Sequence, residues 1–109
     1  IPAVRMQAEV RRLQGKFDEA ERLFVDCRNL AEKVYGKRHP DYAMTLGDLG
    51  SLQFSRARYA EAHALHTSAL EIYRSTVGEK DAKYALMLNN VGACLNNLTR
   101  LREAETLLL

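Results

Sequence analysis

Residues 58–81 have the sequence RYAEAHALHTSALEIYRSTVGEKD, and the same order of residue types has already occurred once in the chain. The earlier copy is KFDEAERLFVDCRNLAEKVYGKRH, at residues 16–39, with its aromatic residue, its Glu-Ala pair and its closing glycine in matching places. A third copy, RLREAETLLL, occupies residues 100–109. The chain is therefore built from an internal repeat, and a repeat of this length determines the architecture.

The repeat has a constant step of 42 residues, as the positions of Phe17, Tyr59 and Leu101 show. The same step relates further positions: Glu19, Glu61 and Glu103; Ala20, Ala62 and Ala104; Gly36 and Gly78; Tyr42 and Tyr84; Leu46 and Leu88; Gly50 and Gly92. Chance does not keep so many residue types in one register. The pattern therefore predicts similar structural units that stack along the chain.

Each unit predicts two amphipathic helices joined by a short turn. In the middle unit, Tyr42, Leu46 and Leu49 recur at helical spacing, and a second apolar stripe starts at Tyr59 after a turn at residues 56–58. We expect six helices, over residues 3–14, 17–35, 40–55, 59–77, 82–97 and 101–109.

Capping residues support these boundaries. Gly36 and Gly78 end the second helices, since glycine adopts the left-handed conformation without steric penalty. Pro40 opens the helix that follows, as proline commonly does at a first helical position. We expect His39 and Asp81 to cap the helices that begin after them.

Small residues are placed where the two helices of a unit must touch: Ala8, Gly50 and Gly92 in the first helices, and Ala20, Ala62 and Ala104 in the second. A bulky side chain there would push the helices apart at a cost of about 1–3 kcal/mol. One unit cannot bury its own apolar faces, so neighbouring units must stack. We predict a single all-α domain over residues 1–109, with repeats at 1–39, 40–81 and 82–109, the third one truncated.

This pattern resembles the tetratricopeptide repeat. The matching residues of the middle unit are Leu46, Leu49, Gly50, Tyr59, Ala62 and Ala69. Such repeats usually take 34 residues, whereas a 42-residue step with long second helices is similar to kinesin light chains, and YALMLNNVG (residues 84–92) resembles the start of a unit there. Ala57 and Thr99 replace a glycine of the family pattern. A HEAT-type array also suits this period, but the aromatic–x–Glu-Ala start of each second helix favours the tetratricopeptide interpretation.

The resemblance implies a right-handed superhelical stack of antiparallel helix pairs, whose first helices line a concave groove. In that family the groove holds an extended peptide or a partner helix, so we expect a protein or peptide partner. The expected binding residues lie on the first helices, away from the apolar stripe: Arg5, Glu9, Arg12, Asp48, Ser51, Ser55, Asn89, Asn90, Asn96 and Asn97. Phe54 and Ala93 share this surface.

The asparagines and arginines of this surface suit peptide binding. An asparagine amide both donates and accepts, so it can pair with the backbone of any extended peptide. Arg5 and Arg12 can clamp a carboxylate of an acidic peptide. The alternatives are that the asparagines bond to their own helix and that the arginines are merely solvated.

Composition excludes several other classes of function. The net charge is +2, from 16 basic and 14 acidic side chains, which argues against a nucleic-acid binder. No apolar run is long enough to span a bilayer, so no membrane partner is expected. Cys27 and Cys94 form neither a disulfide framework nor a zinc motif, which indicates a reducing, cytoplasmic setting. The sequence lacks a nucleophile elbow, a phosphate loop and paired carboxylates, so we predict no enzymatic activity.

The histidines and cysteines are expected to serve packing. His63 and His66 are three residues apart, a spacing that can bind a metal, but His66 occupies the position of Phe24 in the first unit. Core packing is therefore favoured, and no metal or cofactor is expected. The same holds for the two cysteines, which behave as small apolar residues.

Three functions agree with these observations. The first is an interaction scaffold or adaptor. The second is a regulatory or sensor segment of a larger signalling ATPase, and the third is a structural appendage of a motor or ciliary assembly. Because the chain begins Ile1-Pro2 without a methionine, we expect it to be part of a longer array. Leu107 and Leu108 should then form an exposed apolar end that is capable of self-association.

Overall fold

The computed structural model describes the backbone of residues 2–108 and the side chains of residues 3–105. Within that part the chain is all-α, as predicted, and its helices are α1 (Pro2–Leu13), α2 (Phe17–Tyr35), α3 (Pro40–Ser55), α4 (Tyr59–Thr76) and α5 (Ala82–Leu108). Each helix packs on the next helix of the chain. The short connections make sequential neighbours antiparallel, so the helices form a stack.

The predicted capping residues lie at the helix ends. His39 precedes α3, where its Nδ1 accepts the backbone N–H of Asp41 at 3.1 Å, and Pro40 is the first helical residue. Oδ1 of Asp81 accepts the backbone N–H of Lys83 at 2.8 Å, directly before α5. These bonds satisfy N–H groups that have no partner within the helix, and they confirm both caps.

Two clusters of buried residues hold the stack together. One joins α1, α2 and α3 through Ala8, Ala20, Phe24, Leu49 and Leu52. The other joins α2, α3, α4 and α5 through Ala31, Tyr42, Ala43, Leu46, Ala69, Tyr73 and Met87. Each helix from α1 to α5 therefore contributes buried residues to a contact with its neighbours, which is the stacking that the repeat predicts.

Gly50 confirms the expected close approach of a first helix to a second one. A Cβ atom at this position would lie 2.8 Å from the ring of His66 on α4. In the preceding pair the equivalent positions hold Ala8 and Phe24, and both are buried. His66 therefore has the packing role that its position indicates.

The prediction of a third helix pair is wrong for the described residues, because α5 continues without a break from Ala82 to Leu108. The first two pairs turn at equivalent positions with a left-handed backbone, at Gly15 (φ 78°) and Ala57 (φ 61°). The third such position is Thr99. A β-branched residue is strongly disfavoured at positive φ, whereas an unbroken helix places no such demand on it.

Two predicted contacts of the third pair are consequently missing. Gly92 has no atom within 4 Å of where its Cβ would be, and Ala104 is exposed. Glycine and alanine at these positions would allow two helices to pack closely, but the continuous helix α5 does not bring them together. Leu107 and Leu108, which were expected at an apolar end, have side chains outside the described residues.

The described helices also bear on the membrane question. No helix within residues 2–108 is both long enough and apolar enough to cross a bilayer.

Candidate functional site

The first helices α1, α3 and α5 line a cleft of about 440 Å³. Its walls carry Arg5, Glu9 and Arg12 from α1, Asp48 and Ser51 from α3, and Asn90 from α5. The remaining lining residues are Met6, Met44, Gly47, Tyr73, Leu86 and Met87. We call this space the cleft. Helices α1, α3 and α5 alternate with the second helices along the stack, so they present their polar faces to one side.

A recess of about 240 Å³ adjoins the cleft. Arg12, Ser51 and Asn90 line both spaces, so the two share part of their walls. Ser55 lines the recess, together with Phe54, His66 and Ala93.

The structure thus brings together most of the residues that the sequence places on this surface. Arg5, Glu9, Arg12, Asp48, Ser51, Ser55 and Asn90 line the cleft or its recess, whereas Asn89, Asn96 and Asn97 line neither. Asn89 and Asn96 are exposed. Asn97 donates from Nδ2 to the backbone carbonyl of Ala93 at 2.9 Å, which is the local bond that asparagine readily forms in a helix.

Arg5 and Asp48 join α1 to α3 across the cleft. Nε of Arg5 donates to Oδ2 of Asp48 at 2.6 Å, and Nη2 donates to Oδ1 at 3.0 Å. This is a two-point pair of the kind that fixes both side chains. Burial raises the pKa of the Asp48 carboxyl and the Arg5 pair opposes that rise, while the hydrogen bond to Asp48 raises the pKa of Arg5.

Arg12 is held in a similar way at the other end of the cleft. Its guanidinium donates to Oε1 of Glu9 on the same helix, and its Nη1 donates to Oγ of Ser55 on α3 at 2.8 Å. Both arginines proposed as ligand clamps therefore have partners within the protein. Each cation is matched by an anion, so these four side chains add no net charge to the cleft.

The deep wall of the cleft includes Tyr73 from α4, which is 3% exposed. Burial, and then the charge of Asp48, raise the pKa of its phenol to about 12. Tyr73 is therefore a neutral phenol at physiological pH. It adds a hydroxyl group to a wall whose other deep residues, Met44 and Met87, are apolar.

Sequence reasoning missed Tyr73, Met44, Met87 and Leu86. Tyr73 belongs to the buried cluster that joins α2, α3, α4 and α5, so its position in the repeat indicates packing and not ligand binding. The 42-residue step relates Met44 to Leu86, as it relates Asp48 to Asn90 and Glu9 to Ser51 and Ala93, but it relates Met87 to no residue that lines the cleft or its recess. The register alone does not identify the lining residues, because Gly47, Phe54 and Ser55 line the cleft or its recess whereas the residues one step later, Asn89, Asn96 and Asn97, line neither.

A second hollow, of about 490 Å³, lies beneath α1. It is lined mainly by apolar side chains of α1, α2 and α3, including Met6, Cys27, Ala31, Tyr35 and Met44. Arg5 and Asp41 border it. No sequence motif had indicated this space.

The described residues contain no group of three His, Cys, Asp or Glu side chains that could hold a metal ion. His66 is buried against Gly50, and burial together with the neighbouring His63 lowers its pKa to about 4. Cys27 and Cys94 are buried thiols, and burial raises the pKa of each. A raised pKa keeps a thiol protonated and unreactive, which suits a packing role.

Comparison with known protein families gives a match that covers most of the chain. The model of the tetratricopeptide repeat matches residues 3–75, which is more than half of the chain. The matched range comprises almost all of α1 to α4 and ends before α5 begins. A search of curated proteins finds no significant match.

Proposed function

The chain belongs to the tetratricopeptide repeat family, and we propose that it is an interaction scaffold that holds an extended peptide in the cleft between α1, α3 and α5. Repeats of this family generally mediate protein–protein interactions and are generally non-catalytic. The proposal for this chain is that its own cleft is the binding surface and that it catalyses no reaction.

The observation that carries this proposal is that the cleft and its recess adjoin, with Arg12, Ser51 and Asn90 lining both. A space that runs along three successive first helices suits an elongated ligand better than a compact one. Asn90 lies half-buried where the two hollows meet. Its amide can donate to one backbone group of a peptide and accept from another, independently of the peptide's side chains.

The charges of the cleft lead us to propose an uncharged stretch of peptide as the ligand. Arg5 with Asp48 and Arg12 with Glu9 are already paired. An acidic side chain of the ligand would have to displace one of these carboxylates. In this proposal the arginines hold the cleft walls in place, and the peptide contacts are made by Asn90, Ser51 and Tyr73.

The test compares two neighbouring asparagines of α5. A peptide library is selected with the wild-type chain, and the selected peptides are titrated against Asn90→Ala and against Asn89→Ala as the matched control, since Asn89 is exposed and lies outside the cleft. Loss of hydrogen bonds at Asn90 should weaken binding about fivefold to tenfold. The control should bind as the wild type does.

Two results would contradict the proposal. If Asn90→Ala and the wild type bind the peptides equally well, the cleft is not the binding site. Equal weakening by both variants would indicate that α5 acts only through its stability. Titrations at low and high salt complete the test, because an uncharged ligand predicts affinities that change little with ionic strength.

We also propose that the chain is of the kinesin-light-chain-like subtype, with repeats at residues 1–39, 40–81 and 82–109. The long second helices, 19 residues in α2 and 18 in α4, support the subtype. Two buried cysteines without a disulfide support a reducing, cytoplasmic location. A sensor segment of a signalling ATPase and an appendage of a motor or ciliary assembly are the alternatives. A phosphate-binding loop elsewhere in the intact protein would favour the former, and a catalytic domain or a ciliary or motor location would favour the latter.

Self-association through the C-terminal part of the chain is a further proposal. It is supported by apolar side chains that α5 leaves exposed, among them Leu88, Leu95 and Leu101.

A further inference from the structure

Helix α5 has an uncovered face, formed by Leu88, Gly92 and Leu95, which we call the α5 face. In α3 the equivalent positions are Leu46, Gly50 and Gln53, and all three are buried. Leu46 is 7% exposed, whereas Leu88 is 51% and Leu95 is 49% exposed. The same positions of the repeat are therefore closed in one unit and open in the next.

The covering element in the closed unit is α4, which begins with Tyr59 and lays Ala62 and His66 against α3. Ala62 is fully buried, and His66 contacts Gly50. By the 42-residue step the corresponding element is the segment 101–108, which carries Leu101 and Ala104 at the matching positions. Leu101 is 48% exposed and Ala104 is exposed. The chain thus has both halves of this interface and leaves them unjoined.

An intact α5 prevents the segment 101–108 from covering the α5 face of its own chain. A helix rises about 1.5 Å per residue, so Ala104 lies about 18 Å beyond Gly92 along the axis. Folding back requires a left-handed turn at Thr99, the position where Gly15 and Ala57 adopt positive φ in the other pairs. For a β-branched threonine that turn is the disfavoured state. A different chain can reach the face without any turn.

We propose that two copies of this chain exchange residues 101–108, so that the segment of each copy covers the α5 face of the other. The two α5 helices lie antiparallel, and the two-fold axis passes close to Thr99 of each copy. Such an exchange is closed, because each copy gives one segment and receives one. The partner is a second copy because its segment 101–108 has the residue pattern by which α4 covers the same positions of α3.

The register agrees with this arrangement. In the closed unit Gly50 lies opposite His66. One step of 42 residues later, the equivalent pair is position 92 of one copy opposite position 108 of the other. Two continuous helices that are antiparallel in this register cross at position 100. The crossing coincides with the place where the hairpin would otherwise turn. An extended hinge in place of a tight turn is the usual condition for exchange of an identical element.

This proposal deepens the self-association proposed above and is independent of the cleft. None of Leu88, Gly92 and Leu95 lines the cleft. Failure of the exchange therefore leaves peptide binding untouched, and failure of peptide binding leaves the exchange untouched.

The experiment is sedimentation equilibrium of the 109-residue chain over a range of concentrations, with two variants and their controls. Thr99→Gly permits the left-handed turn and should raise the dimer dissociation constant about tenfold or more. The control Asn96→Gly places the same residue in α5 at an exposed position outside the turn, and should raise that constant much less. If Thr99→Gly raises the dissociation constant more than Asn96→Gly does, the effect comes from the turn at position 99 and not from a general loss of helix stability.

Gly92→Leu tests the α5 face itself. The extended helix accommodates this leucine, since no atom lies within 4 Å of the added Cβ, but a covering helix would collide with it. We expect a folded, helical monomer by circular dichroism and sedimentation. The control Asn89→Leu adds the same side chain to an exposed position of α5 outside that face, and should still form the dimer. If Gly92→Leu does not fold, Leu95→Lys gives the same test.

Three results would overturn the proposal. The first is a wild-type chain that stays monomeric at high concentration. The second is a dimer that persists in Gly92→Leu, because association would then use another surface. The third is a dimer that is lost in Gly92→Leu but weakened equally by Thr99→Gly and Asn96→Gly, because the two chains would then only touch, without exchanging the segment.

Discussion

Acidification should destabilise this protein mainly through His66. The ring is 2% exposed, it lies against Gly50, and its buried Nδ1 has no hydrogen-bond partner among the described residues. Burial, and then the nearby His63, lower its pKa from the ordinary 6.5 to about 4. A proton on this ring would place an uncompensated charge in the contact between α3 and α4.

The direction of the change in stability follows from the pKa of His66 in the unfolded and the folded chain. The unfolded chain binds this proton near pH 6.5 and the folded chain near pH 4, so the free energy of unfolding is highest above pH 6.5 and falls as the pH decreases toward 4. A pKa difference of this size corresponds to roughly 3 kcal/mol once the fall is complete. At pH 5 about 2 kcal/mol of that should already be lost.

Urea denaturation followed by circular dichroism, at pH 7.5 and pH 5, measures this loss. The control is His66→Phe, because Phe24 occupies the equivalent position and is buried in the first pair. All other titrating groups are present in both proteins and cancel in the comparison. The wild type should lose about 2 kcal/mol more than the variant between these pH values. If both lose the same amount, the burial of His66 does not control the acid response.

Four further substitutions test the packing at two glycines, the charge pair and a helix cap, each by urea denaturation at low protein concentration. Gly50→Ala should destabilise the fold by about 1–3 kcal/mol, because the new Cβ would lie 2.8 Å from a buried ring. Gly92→Ala should instead stabilise it by about 0.5–1 kcal/mol, through helix propensity in open space; a loss at this position would contradict the open α5 face. Arg5→Ala should cost about 1–2 kcal/mol, because it leaves the carboxylate of Asp48 buried without its partner; no loss would mean that the pair is only a surface contact. His39→Ala should cost about 1 kcal/mol by removing the cap of α3, and an unchanged midpoint would show that water caps this helix equally well.

Most of the fold could be inferred from local features of the chain. Helical spacing of apolar residues located α1 to α4 within about a residue at each end. The caps at His39 and Asp81 were correctly placed as well. These features can be predicted from a sequence because helical spacing and capping depend on residues only a few positions apart.

The candidate site was inferred less completely. The first helices were the right elements, but the choice of residues away from the apolar stripe included Asn89, Asn96 and Asn97, which lie outside the cleft and its recess. It also omitted Tyr73, which reaches the cleft from α4. Which side of a polar helix faces a neighbour depends on how three helices are oriented to one another, and no single helix contains that information.

The third unit shows how a local signal can be outweighed. The repeat of Gly50 as Gly92, and of Ala62 as Ala104, predicted a third hairpin, and the substitution at Thr99 was already visible as a departure from the pattern. The structure has one helix there instead. The third unit repeats the helix-contact residues of the other units, but a hairpin there would require Thr99 to adopt a left-handed backbone. That requirement outweighs the similarity of the helices.

The 42-residue register, the helix-pair architecture and the capping residues follow from the amino-acid order, since each depends on spacing along the chain. Tertiary structure was needed to show that Arg5 pairs with Asp48 and Arg12 with Ser55, and that Leu88 and Leu95 remain uncovered. The reason is physical. A long side chain takes its partner from whatever the packing of helices brings within about 3 Å, and an apolar face is buried only if a neighbouring helix reaches it.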